Sequence, residues 1–332
     1  MLAQTFKRTA VAVAVAVGLA VGAAGPSVAQ DKQQVTYLLP APTFLPAFGP
    51  WMLANARGYY AEEGLEVTFQ SAKGGVDVAK QVGAGNADIG GGIGDTPIIV
   101  RANGIPVKAV AVLGGRALTQ LVATEESGIK GPADLKGKVV TTLSYQDTTY
   151  YALLGALSTA DLTKNDVQIQ AAGPAGVWKL FVAGEADAMA AVPDWIGLAR
   201  AQGKNVRIMP IEDYFPSMAQ AILASDDTIK NRPELIEKLV RATLKGMADN
   251  MKDPAGAAAD YVKSIPQHEG KEKAMEAVFR LYNEYVYPGQ ATLGAMDPAR
   301  LEKVQDFYLQ QGAIRKASPL EDLYTNDFVG KS

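Results

Sequence analysis

The sequence predicts an α/β protein of two lobes, and three observations predict it. Short apolar runs alternate with helix-patterned stretches from about residue 35 to 112, a second set of the same kind follows from about 138 to 209, and beyond 233 the chain reads as helices alone. Strand and helix alternating at this spacing imply βαβ units around mainly parallel sheets. At about 100–200 residues per domain, a chain of 332 residues accommodates two such units.

In the first set the predicted strands are Val35–Leu39, Glu66–Gln70, Asp88–Gly90 and Val107–Leu113, with helices at 48–59, 76–84 and 95–102, each bounded by Gly, Pro or Asn. The second set places strands near 138–142, 166–171, 187–190 and 205–209 and helices near 147–159, 175–183 and 194–202. One further strand at Met218–Ala224 precedes helices near 233–251, 254–264, 272–286 and 297–310. The clearest of these opens on Pro233, whose missing N–H costs nothing in a first turn. Leu235, Ile236, Leu239, Val240, Thr243, Leu244 and Met247 then recur at helical spacing until Asp253-Pro254, so one face must be buried. Several helices with a single strand make no separate core, and they are expected to pack back on the first lobe. The expected lobes are therefore 30–124 with 218–332, and 125–217, joined by crossings near 123–127 and 214–218 that act as a hinge.

Composition removes several chemistries. The chain has no cysteine and one histidine, His268, which excludes disulfides, thiol nucleophiles and iron–sulfur clusters and leaves a His-rich metal site or a Ser-His-Asp triad hanging on one residue. A formal net charge of −3 lacks the basic excess of a nucleic-acid binder. The run Gly90-Gly91-Gly92-Ile93-Gly94 fails the dinucleotide spacing because Pro97 stands three after Gly94, and no GxxxxGK[ST] occurs. No cofactor and no metal are expected.

Lys7 and Arg8 precede an apolar run from Ala10 to about Val21, Gly25-Pro26 break it, and Ser27-Val28-Ala29 put small residues at −3 and −1 of a cut after Ala29. This is the pattern of a secretory signal peptide over residues 1–29, too short to span a bilayer. Its removal leaves 303 residues and takes the formal charge from −3 to −5. With no cysteine after the leader to carry lipid, free diffusion in a periplasm is expected.

Several segments in order carry a resemblance. Arg57-Gly-Tyr-Tyr-Ala-Glu-Glu-Gly-Leu-Glu-Val67, Gly85-Asn-Ala-Asp-Ile-Gly90 and Gly104-Ile-Pro-Val-Lys108 are joined by Ser127-Gly-Ile-Lys-Gly-Pro-Ala-Asp-Leu-Lys-Gly-Lys-Val139, Gly184-Glu-Ala-Asp-Ala188 and Tyr324-Thr-Asn-Asp-Phe328. Together they resemble the ABC-importer periplasmic solute-binding proteins of the nitrate/sulfonate/taurine and thiamine-pyrimidine-precursor class. The resemblance implies a two-lobed periplasmic-binding-protein fold of type II, a small-molecule ligand trapped between the lobes, and docking of a monomer to an ABC permease with its ATPase. It also implies no enzymatic activity. The alternatives are an enzyme like those that build the thiamine pyrimidine, which share the fold, and a sensory adaptor.

Ligands of open α/β sheets sit beyond the carboxyl ends of the strands, which nominates site residues loop by loop. Thr43 and Phe44 follow the first strand, and Gly74 and Gly75 follow the second, letting backbone approach a ligand. Asp95 and Thr96 follow the third, where sulfonate binders usually carry small hydroxyl residues; a carboxylate there favours a ligand that donates N–H bonds or is cationic. Arg116 follows the fourth, where it either grips an oxyanion, reads a zwitterion together with Asp95, or pairs with Asp95. The second lobe offers Ser144, Tyr145, Gln146 and Asp147, then Asp194 and Trp195, and Tyr214 before the second crossing. Asp95 and Asp147 stand equally where a helix N-cap belongs. Trp51 and Trp178 lie in helical patterns and are assigned to core, and His268 to a solvated loop. Phe44, Tyr145, Trp195, Tyr214 and Phe215 suit stacking on a flat ring, so the expected ligand has a planar part and a hydrogen-bonding head group.

Overall fold

The computed structural model describes residues 32–330 apart from Gln146; the signal peptide expected over residues 1–29 lies outside the described residues. The first run comprises β1 (Gln33–Leu39), α1 (Gly49–Ala56), α2 (Tyr59–Glu62), β2 (Leu65–Ser71), α3 (Gly75–Gly83), β3 (Ile89–Ile93), α4 (Thr96–Arg101) and β4 (Val107–Val112). The second comprises β5 (Gln120–Thr124), β6 (Val139–Thr142), α5 (Thr148–Ser158), β7 (Gln168–Ala171), α6 (Gly173–Ala183), β8 (Ala188–Ala191), α7 (Pro193–Ala201) and β9 (Val206–Pro210). β10 (Gln220–Ser225) then leads to α8 (Asp226–Asn231), α9 (Pro233–Lys252), α10 (Pro254–Ser264), α11 (Glu272–Tyr285), α12 (Pro298–Gln310) and α13 (Leu320–Leu323).

Two five-stranded sheets result, ordered β2-β1-β3-β10-β4 and β7-β6-β8-β5-β9. In each, the strand arriving from the other sheet is inserted antiparallel: β10 between β3 and β4, and β5 between β8 and β9. The sequence pattern missed β5. Its pairing with β8 and β9 puts the first crossing between Val112 and Gln120, earlier than the expected 123–127. The third strand also runs further than the expected Asp88–Gly90, because Gly91, Gly92 and Ile93 continue it. Gly90 and Gly92 are packed so closely that an added Cβ would meet Val78 and Leu223 within 2.3 and 2.6 Å.

The resembling motifs acquire a physical role here. Asp88 accepts the Thr36 N–H at 2.7 Å and Asp187 accepts the Val139 N–H at 2.9 Å, so each Gly-x-Ala-Asp segment ties the start of one strand to its neighbour. Gly85 and Gly184 take φ of 76° and 78°, the left-handed turn that ends the preceding helix and that glycine adopts without penalty.

The core follows the strand alternation. On β5, Leu121 and Ala123 face the large cluster that also holds α5, while Val122 faces a second cluster with Val177, Phe181, Met189, Ala191 and Ile196. All seven predicted apolar-face residues of α9 are buried. That helix packs on α1, with Gly246 against the Pro50 carbonyl. Among the described residues no helix is long and apolar enough to cross a membrane.

Candidate functional site

Asp95 stands just after the third strand of the first sheet, immediately before α4, and is 1% exposed. Its side chain makes no helix cap; instead Oδ2 accepts a 2.5 Å hydrogen bond from Tyr308 Oη on α12. Oδ1 is buried with no hydrogen-bond partner. Burial raises the Asp95 carboxyl to about 6, with the Tyr308 hydrogen bond working against that shift and the nearby Asp147 carboxylate adding to it. Asp147 belongs to the second sheet, where it caps α5 by accepting the Thr149 N–H at 2.9 Å. Burial raises its carboxyl as well. Thr148 beside it is 7% exposed, and its Oγ1 is likewise unpartnered.

A run of tyrosines leads to these carboxylates from the rim. Tyr145, 54% exposed, meets Tyr150 edge-on at 5.5 Å, Tyr150 meets Tyr151 at 5.6 Å, and Tyr151 meets Tyr308 at 4.9 Å between centroids. The first three rings come from the start of α5 and the loop before it, and the last from α12. The sequence reading nominated only Tyr145.

Asp194 forms a second bridge between the sheets. It opens α7, after the third strand of the second sheet, and is 6% exposed. Oδ1 accepts from Tyr282 Oη on α11 at 2.9 Å, and Oδ2 accepts from the Ala47 N–H, in the loop after β1, at 3.2 Å. Desolvation raises this carboxyl to about 6 as well. Around it α7 packs on α11, with Gly197 against Val278.

Arg116 and Asp95 do not pair. Arg116 is exposed and donates to the Glu284 carbonyl at the end of α11, which removes the ion-pair reading. The guanidinium at the crossings is Arg300, on α12. It donates to both Glu212 carboxylate oxygens at 2.7 and 2.5 Å and to the carbonyls of Gly115 and Ser217, each at 3.0 Å. Glu212 also accepts the Ala117 N–H at 3.1 Å, so one half-buried arginine ties α12 to both connections between the sheets.

The other nominated residues divide. Thr96 Oγ1 accepts the Ile93 N–H at 3.0 Å, and Gly75 packs so close that a Cβ there would lie 3.3 Å from it. The Gly74-Gly75 turn therefore lies against the Asp95-Thr96 turn, and a side chain at 75 would push them apart. Thr43 is half-buried in the turn closed by the Leu45 N–H and the Pro42 carbonyl. The Phe44 side chain is exposed, and its carbonyl accepts from Tyr261 Oη and from His268 Nε2–H, both at 2.6 Å. His268 is thus an anchor of this loop and not the solvated residue expected. Ser144 is half-buried, with its carbonyl accepting the Asp147 N–H at 3.2 Å. Gln146 lies outside the described residues. Trp195 packs into the second cluster with Val177 and Phe181. Tyr214 Oη lies 3.4 Å from where a Cβ on Gly131 would be, while Phe215 packs against Phe307 with tilted rings 4.6 Å apart between centroids.

Reasoning from strand ends missed Tyr282, Arg300 and Tyr308, all on C-terminal helices. Two surface cavities of about 260 and 280 Å³ lie elsewhere, one beside Leu154, Asp161 and Gln311, the other beside Arg57, Asp260 and Lys263. The unpartnered atoms of Asp95 and Thr148 are covered by protein.

Comparison with known proteins agrees with this architecture. The riboflavin-binding protein RibY of Chloroflexus aurantiacus is 28% identical over 325 residues, covering 92% of this chain and 89% of that protein. A 4-amino-5-hydroxymethyl-2-methylpyrimidine phosphate synthase of Aspergillus parasiticus is 26% identical over 243 residues, covering 67% of this chain and 68% of that one. Among solved structures, the periplasmic aliphatic sulphonate-binding protein SsuA of Escherichia coli superposes with a TM-score of 0.68 at 18% identity, covering 88% of this chain and 91% of that one. The NMT1/THI5-like family model matches residues 45–257, more than half of the chain, and the protein belongs to that family.

Proposed function

We propose that this chain is the periplasmic solute-binding component of an ABC importer, capturing a small polar or aromatic organic solute between its two lobes and presenting the closed form to a permease and its ATPase. The observation that carries this reading is the meeting of strand-end loops with the C-terminal helices at buried carboxylates, Asp95 bonded to Tyr308 of α12 and Asp194, at the start of α7, bonded to Tyr282 of α11 and to the Ala47 N–H after β1. A hinge of two connections, held by Arg300, lets the sheets part and close around a ligand. The lobes are the first sheet with the C-terminal helices and the second sheet with α5–α7. The leader over residues 1–29 delivers the chain to the periplasm, where it acts as a monomer.

The relative that binds riboflavin makes flavins the first solutes to try. A synthase-like activity is the rival reading, supported by the relatives named for it. In this chain the one histidine has its Nε2–H committed to the Phe44 carbonyl, which favours binding over histidine chemistry. Calorimetry and thermal-shift screening of the protein purified without its leader, against riboflavin, pyrimidines, aromatic acids, amines and sulfonates, test the proposal. Saturable one-to-one binding without turnover is expected. A complete absence of binding, or conversion of a pyrimidine precursor to product, would sink it.

A further inference from the structure

We propose that the contact of α7 with α11 is a closure clasp, in which Asp194 and Tyr282 act as positioning residues that set how the solute-free chain divides between open and closed forms. This rests on the solute-binding reading and names a regulation of that site. α11 runs outward from the first crossing, where the Arg116 N–H donates to the Val286 carbonyl at 3.1 Å and its guanidinium to the Glu284 carbonyl at 3.0 Å. One turn further out Tyr282 donates to Asp194 at 2.9 Å, and a second turn out Val278 lies 2.6 Å from where a Cβ on Gly197 would be. The Ala47 N–H, donating to the other Asp194 oxygen at 3.2 Å, adds the loop after β1. α11 also enters both cores: Phe279 and Tyr282 belong to the large cluster, and Leu281 to the second, with Trp195 and Ile196 of α7. Parting the sheets here exposes apolar surface to water, which favours the clasped form with no solute present.

Opening at this contact returns the Asp194 carboxyl to water, so its charge biases the clasp. Burial raises that carboxyl to about 6. The neutral acid sits in the clasp at little cost, whereas the carboxylate regains hydration on opening. The titratable groups facing it are the phenols of Tyr282, Tyr287 and, from α10, Tyr261, all kept neutral by burial. The segment before α1 contributes Pro46 and Phe48, and α6 contributes Val177 and Phe181, all apolar. The charged side chains on α6, α7 and α11, among them Lys179, Arg200 and Arg280, take no part in the shift, which comes from burial and hydrogen bonds. His268, whose ring lies 5.6 Å from that of Tyr261, is unchanged in every variant below, so its titration is common to all of them.

The test is single-molecule energy transfer on the protein lacking residues 1–29, freed of bound solute by unfolding and refolding, with dyes on Lys73→Cys and Ala175→Cys. These exposed positions follow β2 and β7, the sheet edges opposite the strands that carry the crossings, and the chain has no cysteine of its own. Closed-to-open ratios are read at pH 5 and pH 8. With the carboxyl going from 3.8 in water to about 6 in the clasp, the parent's ratio is expected to be about tenfold higher at pH 5. Asp194→Asn, which keeps both hydrogen bonds, is expected to stay closed at pH 8 and to lose most of that change. Asp194→Ala and Gly197→Ala are expected to lower the ratio at pH 5 by about fivefold or more, and cooperative urea unfolding of each variant shows that it folds. A parent ratio that ignores pH, or two alanine variants that divide like the parent, overturns the clasp and leaves solute capture standing, because no solute enters the measurement. A failed solute screen would in turn leave these ratios as they are.

Discussion

The Asp194 carboxyl couples the contact between the two sheets to pH, and the sign of that coupling is opposite to the usual one for a salt-bridged carboxylate. Its pKa rises from 3.8 to about 6, chiefly through desolvation, with Tyr282 and the Ala47 N–H partly opposing the shift. At about 1.4 kcal/mol per unit, holding it ionised at pH 7.5 costs about 3 kcal/mol relative to the unfolded chain. Because the folded value lies above the unfolded one, the stabilising contribution is complete below pH 3.8 and is lost as pH rises through about 6. Moving from pH 7.5 to pH 5 therefore returns roughly half of the cost, about 1.5 kcal/mol. Asp95, raised to the same value by burial, adds a similar amount.

Asp194→Asn keeps both bridging contacts, since its amide oxygen accepts from the Ala47 N–H and its amide nitrogen donates to Tyr282 Oη. It is expected to raise stability at pH 7.5 by about 1–3 kcal/mol and to retain about half of the parent's change between pH 5 and 7.5. Asp194→Ala strands the Tyr282 hydroxyl and the Ala47 N–H and is expected to fall about 2–4 kcal/mol below the Asn variant. Urea unfolding at the two pH values, followed by tryptophan fluorescence, measures all three proteins. An Asn variant that keeps the parent's full pH dependence, or that is as unstable as the Ala variant, refutes the reasoning.

Three further outcomes follow from the same contacts. Arg300→Met removes the guanidinium from two carbonyls and from the Glu212 carboxylate, which keeps only the Ala117 N–H, and is expected to cost about 2–4 kcal/mol, with a broader distance distribution in small-angle scattering as the connections loosen. Tyr308→Phe removes the hydrogen bond that holds the Asp95 carboxyl down, so that carboxyl rises further and the stability difference between pH 5 and 7.5, read by urea unfolding, grows. Gly155→Ala would place a Cβ 2.3 Å from the Phe215 ring, and the forced shift is expected to lower unfolding free energy by about 1–3 kcal/mol.

Much of the fold was legible because its signals are local. The 3.6-residue pattern of Leu235 to Met247 needs no knowledge of α1 to declare a buried face, and the Gly-x-Ala-Asp segments mark the turn before each sheet's third strand. β5 was not legible: Gln120–Thr124 is five residues long, follows the apolar Ala117-Leu118, and owes its existence to β8 and β9 across long separations in sequence. The site was half legible for the same reason. Strand ends nominated Asp95, Asp147 and Asp194, because where a parallel sheet offers its loops is a property of topology. The partners Tyr282, Arg300 and Tyr308 lie on amphipathic helices, and a helical pattern says that one face is covered without saying which strand end covers it. Asp95 shows the limit most clearly. It stands at a helix start, as a cap would, and its carboxylate goes instead to a tyrosine more than two hundred residues away along the chain.

Hydrogen exchange of the protein lacking residues 1–29, with and without a solute found by the binding screen, tests the central claim most directly. Clamping between the two sheets predicts that the solute slows exchange together in the loops at 42–46 and 94–96 of the first sheet and at 143–149 and 192–195 of the second, with residues 113–119 and 211–219 changing as the hinge closes. Protection confined to the loops of one sheet, or appearing outside all of these segments, would contradict it.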